Sequence, residues 1–582
     1  ANSVSGNTVL GEGALDASVS GADNTAIGKN TLTALTSGAS NTAIGSGASD
    51  AATTANSTVA IGKGALGDNT SGFSNVAVGV DALATSQTAN NNTAIGRDSL
   101  KLNTSGDQNV SVGSGSSDAN TTGSLNTAVG YNALGANTTG ANNVAIGGNA
   151  LDANTTANNN TAVGYLSLTA NTTGFQNTGI GSLALAQTTT GDENTACGYQ
   201  ALTTNSTGEN NSAFGKNALA NNTTAGNNTA VGFNALGECT TGFQNTAVGG
   251  VSLDANTEGL KNTAVGYASL SSCTTGDENT AIGHNALPLS TTGSYNVAVG
   301  RSALAANTTA NYNTAVGLNS LNSNTTGTLG TAVGSGALQS NTTAASNTAV
   351  GYAALNANTT AERNTAVGRG ALEVNTTGTQ NTAVGAFSLD ANTTANNNSG
   401  FGYGTLTSNT TGYNNTAIGH SSLLLNTTGQ HNAAVGKDSL SSATTANQNS
   451  ALGALSADAV TTGSNIAAVG YNSAGAVTTG GRITAIGAHS LETSTTANDL
   501  TAIGYNCLQD NTSGERNTAV GDSALGDNTT ANNNTAVGFE SLRLNTTGTE
   551  NTAVGAYALD ANTTASYNTA VGYEALTANT TG

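Results

Sequence analysis

Apolar and polar positions along this chain recur with a strict period of 17. One unit reads Asn126-Thr127-Ala128-Val129-Gly130-Tyr131-Asn132-Ala133-Leu134-Gly135-Ala136-Asn137-Thr138-Thr139-Gly140-Ala141-Asn142, and Asn143 starts the next. With Gly130 as origin, a glycine returns at every period from Gly11 to Gly572, giving 34 copies without insertion or deletion. The residue before the origin is apolar in all 34, Ala stands two before it in 30, and Leu stands four after it in 30. Asn, Thr and Gly fall at every turn that a helix would make, and each is a poor helix interior residue. β-branched and small residues around an invariant Gly instead predict a short strand and a tight bend.

A unit of this length suits one turn of a parallel β-solenoid, or β-roll, with two or three short strands. The expected fold is therefore all-β: about 34 stacked coils forming one continuous domain over residues 1–582, an elongated rod on the order of 160 Å long at ~4.8 Å per coil. Val129, Gly130 and Leu134, with Val163, Gly164 and Leu168 further along the stack, are the expected structural core. Asn126 and Asn137 begin turn segments, where Asn bonds its own backbone and tolerates positive φ. Stacked in register, their side chains would form amide ladders.

Exceptions to the pattern cluster one period apart. Ile466, Ile483 and Leu500 replace the Asn four before the origin in consecutive coils. Val460 and Val477 replace the Asn seven after it, and the same coils carry Ala457 and Ala474 in place of Leu. Loss of Leu together with gain of Val places both offsets in one small interior. The first coils and those around 453–504 are the atypical ones. A second period of 34 puts Tyr131, Tyr165, Tyr199, Phe233 and Tyr267 after alternate origins. That aromatic file and the aliphatic run Ile466, Ile483, Leu500 are the two candidate contact surfaces for a partner or a sister chain.

Composition narrows the function classes. Net charge is −20 over 582 residues, and the 13 Lys and Arg, scattered from Lys29 to Arg543, offer no basic patch for nucleic acid. No apolar run reaches the length of a membrane span. The chain lacks Met, starts at Ala1 and stops in mid-repeat at Gly582, which reads as a processed or excised piece of a longer protein. Cys239 and Cys273 share an offset but stand two coils apart, nearly ~10 Å and beyond disulfide reach. Together with Cys197 and Cys507 they read as isolated buried thiols.

Reactive constellations are not apparent. His284, His420, His431 and His489 lack partners at metal-ligand spacing, and no Ser or Asp pairs with a His for nucleophilic work. Asp152, Asp254, Asp390 and Asp560 share an offset but never occupy adjacent coils, so they build no calcium column and read as scattered surface charge. No cofactor is expected, and the reading is not an enzyme. Asn137, Asn154 and Asn171 each open an Asn-Thr-Thr glycosylation pattern. Thr138 and Thr139 start a threonine file of the kind ice-binding solenoids use, although adjacent strand residues face opposite ways.

The Asn-Thr-Ala-Val-Gly core, followed by Ala-Leu and Asn-Thr-Thr-Gly, resembles head repeats of trimeric autotransporter adhesins and repeats of phage and bacterial tail-fibre-like surface proteins. The resemblance spans the whole chain, with a coil longer than the usual adhesin one. It implies a left-handed parallel β-roll that associates in trimers and works outside the cell, and it carries over no catalytic residues. The expectation is an extracellular structural fibre whose partner is itself, as a trimer or an end-to-end filament. The alternative is an adhesin or carbohydrate-contacting head on a surface or tail fibre.

Overall fold

The computed structural model describes residues 4–580. Ala1 and Gly582, on which the expectation of an excised piece rests, lie outside the described residues. The chain divides into two compact units, Ala1–Ser294 and Tyr295–Gly582, and each is a parallel β-solenoid. Strands β1 (Thr8–Leu10) to β17 (Thr280–Ile282) stack in the first unit, and β18 (Val297–Val299) to β34 (Thr569–Val571) stack in the second. Neighbouring strands pair each residue with its equivalent one period on. Thus β8 (Thr127–Val129) meets β9 (Val144–Ile146) with Thr127 opposite Val144, Ala128 opposite Ala145 and Val129 opposite Ile146. No helix occurs among the described residues.

Each coil holds one strand, not the two or three expected. Positive φ at three further places stops the chain from staying extended: Asn132 (50°), Leu134 (56°) and Asn142 (59°). Asn126 and Asn137, expected to take such angles, do not. Pairing between coils nevertheless continues through the turns. Leu134 N–H donates to Ala150 O at 2.9 Å, Ala136 N–H to Asp152 O at 2.9 Å, and Thr138 N–H to Thr155 O at 2.8 Å. A left-handed leucine costs about 1 kcal/mol or more. Its backbone bond to the next coil and the full burial of its side chain offset that.

The interior is narrower than expected, and the alternation of the strand shows why. Ala128 points inward and is fully buried, so Thr127 and Val129 must face outward. Val129 and Val163 are accordingly half-exposed, a correction to their expected place in the core. Leu134 and Leu168 do lie there, fully buried. Gly130 and Gly164 are half-exposed and serve in another way. Gly130 has a φ of 139°, and a Cβ on it would stand 2.5 Å from the carbonyl oxygen of Gly147 in the next coil. A side chain there would force the coils apart, which accounts for the unbroken glycine.

Asparagine fills the rest of the interior. Asn137 Nδ2 donates to Asn120 Oδ1 at 2.8 Å and to Gly140 O at 3.0 Å, and Asn154 repeats the bond onto Asn137 Oδ1 at 2.9 Å. A second file runs through Asn126. Its backbone N–H donates to Asn109 Oδ1 at 2.9 Å, and its own Oδ1 accepts from Asn143 N–H at 3.0 Å. Both amides are buried, so each must be satisfied, and the next coil satisfies it.

The exceptional coils keep the same interior with different chemistry. Ala457, Val460, Ala474 and Val477 are all fully buried, so the shorter Ala and the larger Val share one space. Ile466, Ile483 and Leu500 are buried as well. With no amide to bond sideways, the strand there lengthens by one residue, as in β28 (Ile466–Val469).

Gly130→Ala should destabilise coils 113–164 by about 3 kcal/mol, whereas the exposed Thr139→Ala should change them by under about 0.5 kcal/mol. Native-state hydrogen exchange reads both. Leu134→Ala alone should cost about 3 kcal/mol and Asn137→Val alone about 2 kcal/mol. The double variant, copying Ala457 and Val460, should cost clearly less than the two together; strict additivity would contradict a shared interior.

Candidate binding surface

Each strand ends at the invariant glycine, and the following residue crowns the bend. Its backbone is pinned: Tyr131 O accepts from Asn149 N–H at 2.9 Å, Tyr165 O from Leu183 N–H at 3.0 Å, and Tyr199 O from Asn217 N–H at 3.0 Å. The crowning side chains therefore line up at coil spacing and point into solvent. Tyr131, Tyr165 and Tyr267 are exposed by 63%, 60% and 60%, while Tyr199 and Phe233 fall to 48% and 51%. Lys216 stands between the last two. Its ammonium lies 5.9 Å from the Tyr199 ring centre and 5.8 Å from that of Phe233, within cation–π range of both.

Ring orientation follows from their neighbours. Tyr267 stacks on His284 of the next coil, with centres 5.7 Å apart and planes 18° from parallel. A Cβ on Gly250 would touch Tyr267 Cδ2 at 3.5 Å, and one on Gly148 would touch Tyr165 Cδ2 at 3.6 Å. Both rings lean toward the coil before them. The face of Tyr267 looks along the stack at His284, and residues in the phase of 34 stand two coils, roughly 9.6 Å, apart.

In the second unit the chain closes such gaps itself. His489 sits 5.4 Å from Tyr471 and 6.1 Å from Tyr505. Tyr557 sits 5.3 Å from Phe539 and 6.2 Å from Tyr573. All four histidines pack on tyrosine: His284 on Tyr267, His420 on Tyr403, His431 on Tyr413 and His489 on Tyr471.

The file carries more than the aromatics read from the sequence. Seven of the 13 Lys and Arg also crown a bend: Lys29, Lys63, Arg97, Lys216, Arg301, Arg369 and Lys437. Counted along the chain they look scattered. Counted modulo 17 they fall on one line, a signal that the sequence itself carries.

Other candidates change standing. Ile466, Ile483 and Leu500 are interior residues and offer no contact surface. Asn137, Asn154 and Asn171 are buried, with their Nδ2 hydrogens bonded within the ladder, so the folded coil presents no amide for a glycan. Thr138 Oγ1 donates to Thr155 O at 3.0 Å, leaving Thr139 as the exposed half of the threonine file. Cys239, Cys273 and Cys507 are buried, and desolvation pushes their thiols up to about 11, about 11 and about 12. Cys197 is exposed, because its place in the strand faces outward with the valines. Asp152, Asp254, Asp390 and Asp560 are half-buried, not open surface charge. Asp254 Oδ1 lacks a hydrogen-bond partner, and burial, then the charge of Glu238, raises its pKa. Asp254 and Glu238 border a groove of about 340 Å³ lined otherwise mainly by amides and threonines, with Ala220 and Gly237. Among the described residues no group of three or more His, Cys, Asp or Glu is placed to hold a metal ion. No helix there is long and apolar enough to cross a membrane.

Compared with known proteins, the chain matches no protein-family profile, and no curated protein is significantly similar to it.

Burial raises Asp50, Asp118, Asp152, Asp254, Asp390 and Asp458 alike. A carboxyl with a raised folded pKa binds more protons folded than unfolded between its ordinary value and the raised one, so its stability contribution is present at low pH and lost as pH rises through the folded value. Asp98 and Asp499, lowered by exposed ion pairs, oppose this only weakly. The urea midpoint should therefore rise on acidification from about pH 7 to about pH 4.5, around the ordinary carboxyl range. A midpoint that falls over that interval would count against the carboxyl assignment.

Proposed function

We propose that this chain is a structural, load-bearing solenoid that self-associates into an extracellular fibre or filament. The observation that carries the reading is the pairing of coil to coil. Backbone bonds run through strand and turn alike, and over most of the chain two files of buried amides join coil to coil. Force along the stack is thereby shared among many parallel hydrogen bonds per coil. A trimer or an end-to-end filament serves such a role, and the extracellular setting rests on the resemblance to adhesin-head and tail-fibre repeats. A second reading, an adhesin or carbohydrate-contacting head, is favoured by one observation: the exposed file of Tyr131, Tyr165 and Tyr199.

Electron microscopy of the purified chain at rising concentration tests the self-association. Filaments or bundles that grow with concentration are expected. Dispersed single particles throughout, together with retention on immobilised polysaccharide, would favour the adhesin reading instead.

A further inference from the structure

The aromatic file of the first unit has a second half. Two, four and six coils before Tyr131 stand Arg97, Lys63 and Lys29. All three are exposed. The residues crowning the coils between them are Ser46 and Val80, and Ser114 separates Arg97 from Tyr131. One ridge thus presents three cations and then three rings at a single two-coil spacing, with short side chains in the intervening coils. The gap between Tyr131 and Tyr165 holds only Gly148, and that between Tyr165 and Tyr199 holds Ser182.

Lys216 shows what such a gap takes. Its ammonium stands between two ring faces, nearly equidistant from both. Where a gap in the second unit is closed, an aromatic or imidazole ring closes it. At Gly148 and Ser182 the residue between the rings is too short to fill the space, which at Gly148 is bounded on one side by the leaning Tyr165 ring.

We infer that two copies of the chain pair antiparallel along this ridge, each seating Lys29, Lys63 and Arg97 beside the rings of the other. With a two-fold axis midway between Arg97 and Ser114, Arg97 faces Ser114, Lys63 faces Gly148 and Lys29 faces Ser182 of the second copy. Lys63 then lies between Tyr131 and Tyr165, and Lys29 between Tyr165 and Tyr199. The same operation brings Tyr131 opposite Val80 and Tyr165 opposite Ser46, so the rings drop between the cations that face them. Contacts of this kind are isologous: residue i meets j, and j meets i. The two Arg97 side chains approach near the axis, each bringing Asp98 as counter-ion at 2.9 Å. Lys29 gives up only an exposed pair with Glu12 at 3.5 Å, a contact of little strength.

The match in period selects a second copy over another basic partner. Cations two coils apart require another stack of coils, and this chain supplies them on the same line as the gaps. The remaining surface of a chain of charge −20 repels its own kind, so pairing is confined to the ridge where the basic residues gather.

The inference rests on the self-association proposed above, narrowed to one face and one geometry. Sedimentation velocity on the full chain tests it, with Lys29→Ala/Lys63→Ala/Arg97→Ala as one variant and Tyr131→Ala/Tyr165→Ala/Tyr199→Ala as the other. The parent chain should form a reversible dimer that weakens with salt. Each triple variant should dimerise at least tenfold more weakly, with unchanged hydrogen-exchange protection of the interior coils. An equimolar mixture of the two variants should dimerise more tightly than either alone, because the rings of one and the cations of the other restore half of the contacts. A monomeric parent chain, variants that dimerise like the parent, or a mixture no tighter than its components would each overturn it. Filaments by microscopy in a chain that fails these tests would sink this pairing and leave the fibre reading standing, whereas absence of any assembly would sink both.

Discussion

A buried primary amide whose oxygen or hydrogens lack partners costs about 1–3 kcal/mol. Most coils avoid that cost by stacking amide on amide; where the file carries another residue, as at Thr188 after Asn171 or Cys273 after Asn256, the amide oxygen goes unmet. Leu134 and a few alanines cannot fill the cross-section of a coil, and the remaining interior falls to Asn126 and Asn137. A lone coil would leave their amide groups unmet. Stacking in register meets them, since Asn120 presents its oxygen to Asn137 and Asn137 presents its own to Asn154. Register is therefore set from inside: a slip of one residue would set Asn137 against Ala153 or Thr155 in place of Asn154 and Leu134 against Ala150 or Asp152, leaving donors and acceptors orphaned.

Much of this is legible in the sequence, and what misleads there has physical causes. The strict period, the parallel stack, the interior leucine and the amide ladders follow from residues that recur without drift. The shared space of Leu and Asn is legible as well, because Ala457 and Val460 exchange volume within one coil. Val129 misleads because its size suggests burial, whereas alternation lets only Ala128 or the pair Thr127 and Val129 face inward, and the alanine fits beside Leu134. Asn137-Thr138-Thr139 reads identically as a glycan acceptor and as a ladder rung; only burial separates them. The cationic line is invisible when charge is counted along the chain and emerges when it is counted along the stack, where Lys29, Lys63 and Arg97 align with Tyr131.

The coils from Ala457 to Leu508 show how far the design tolerates change. Three neighbouring coils exchange amides for Ile466, Ile483 and Leu500, and the strand extends to cover the loss. Replacements confined to one coil, as at Thr58 and Gly330, still give the neighbouring amide oxygen a donor. An aliphatic side chain cannot donate from its tip, and when such residues occupy consecutive coils the mismatched contacts fall only at the two borders.

One consequence concerns the birth of the chain. Every bond that closes a coil reaches about one period ahead or behind, as from Leu134 to Ala150 or from Gly130 to Val112. Loop closure is then equally short everywhere and does not lengthen as coils are added. A coil can dock onto its predecessor once the next period of residues has left the ribosome, so a longer chain folds no more slowly per coil than a short one. Length becomes almost free to vary by whole coils, but the alternation of ring and small residue at the bend survives only when coils are gained or lost in pairs.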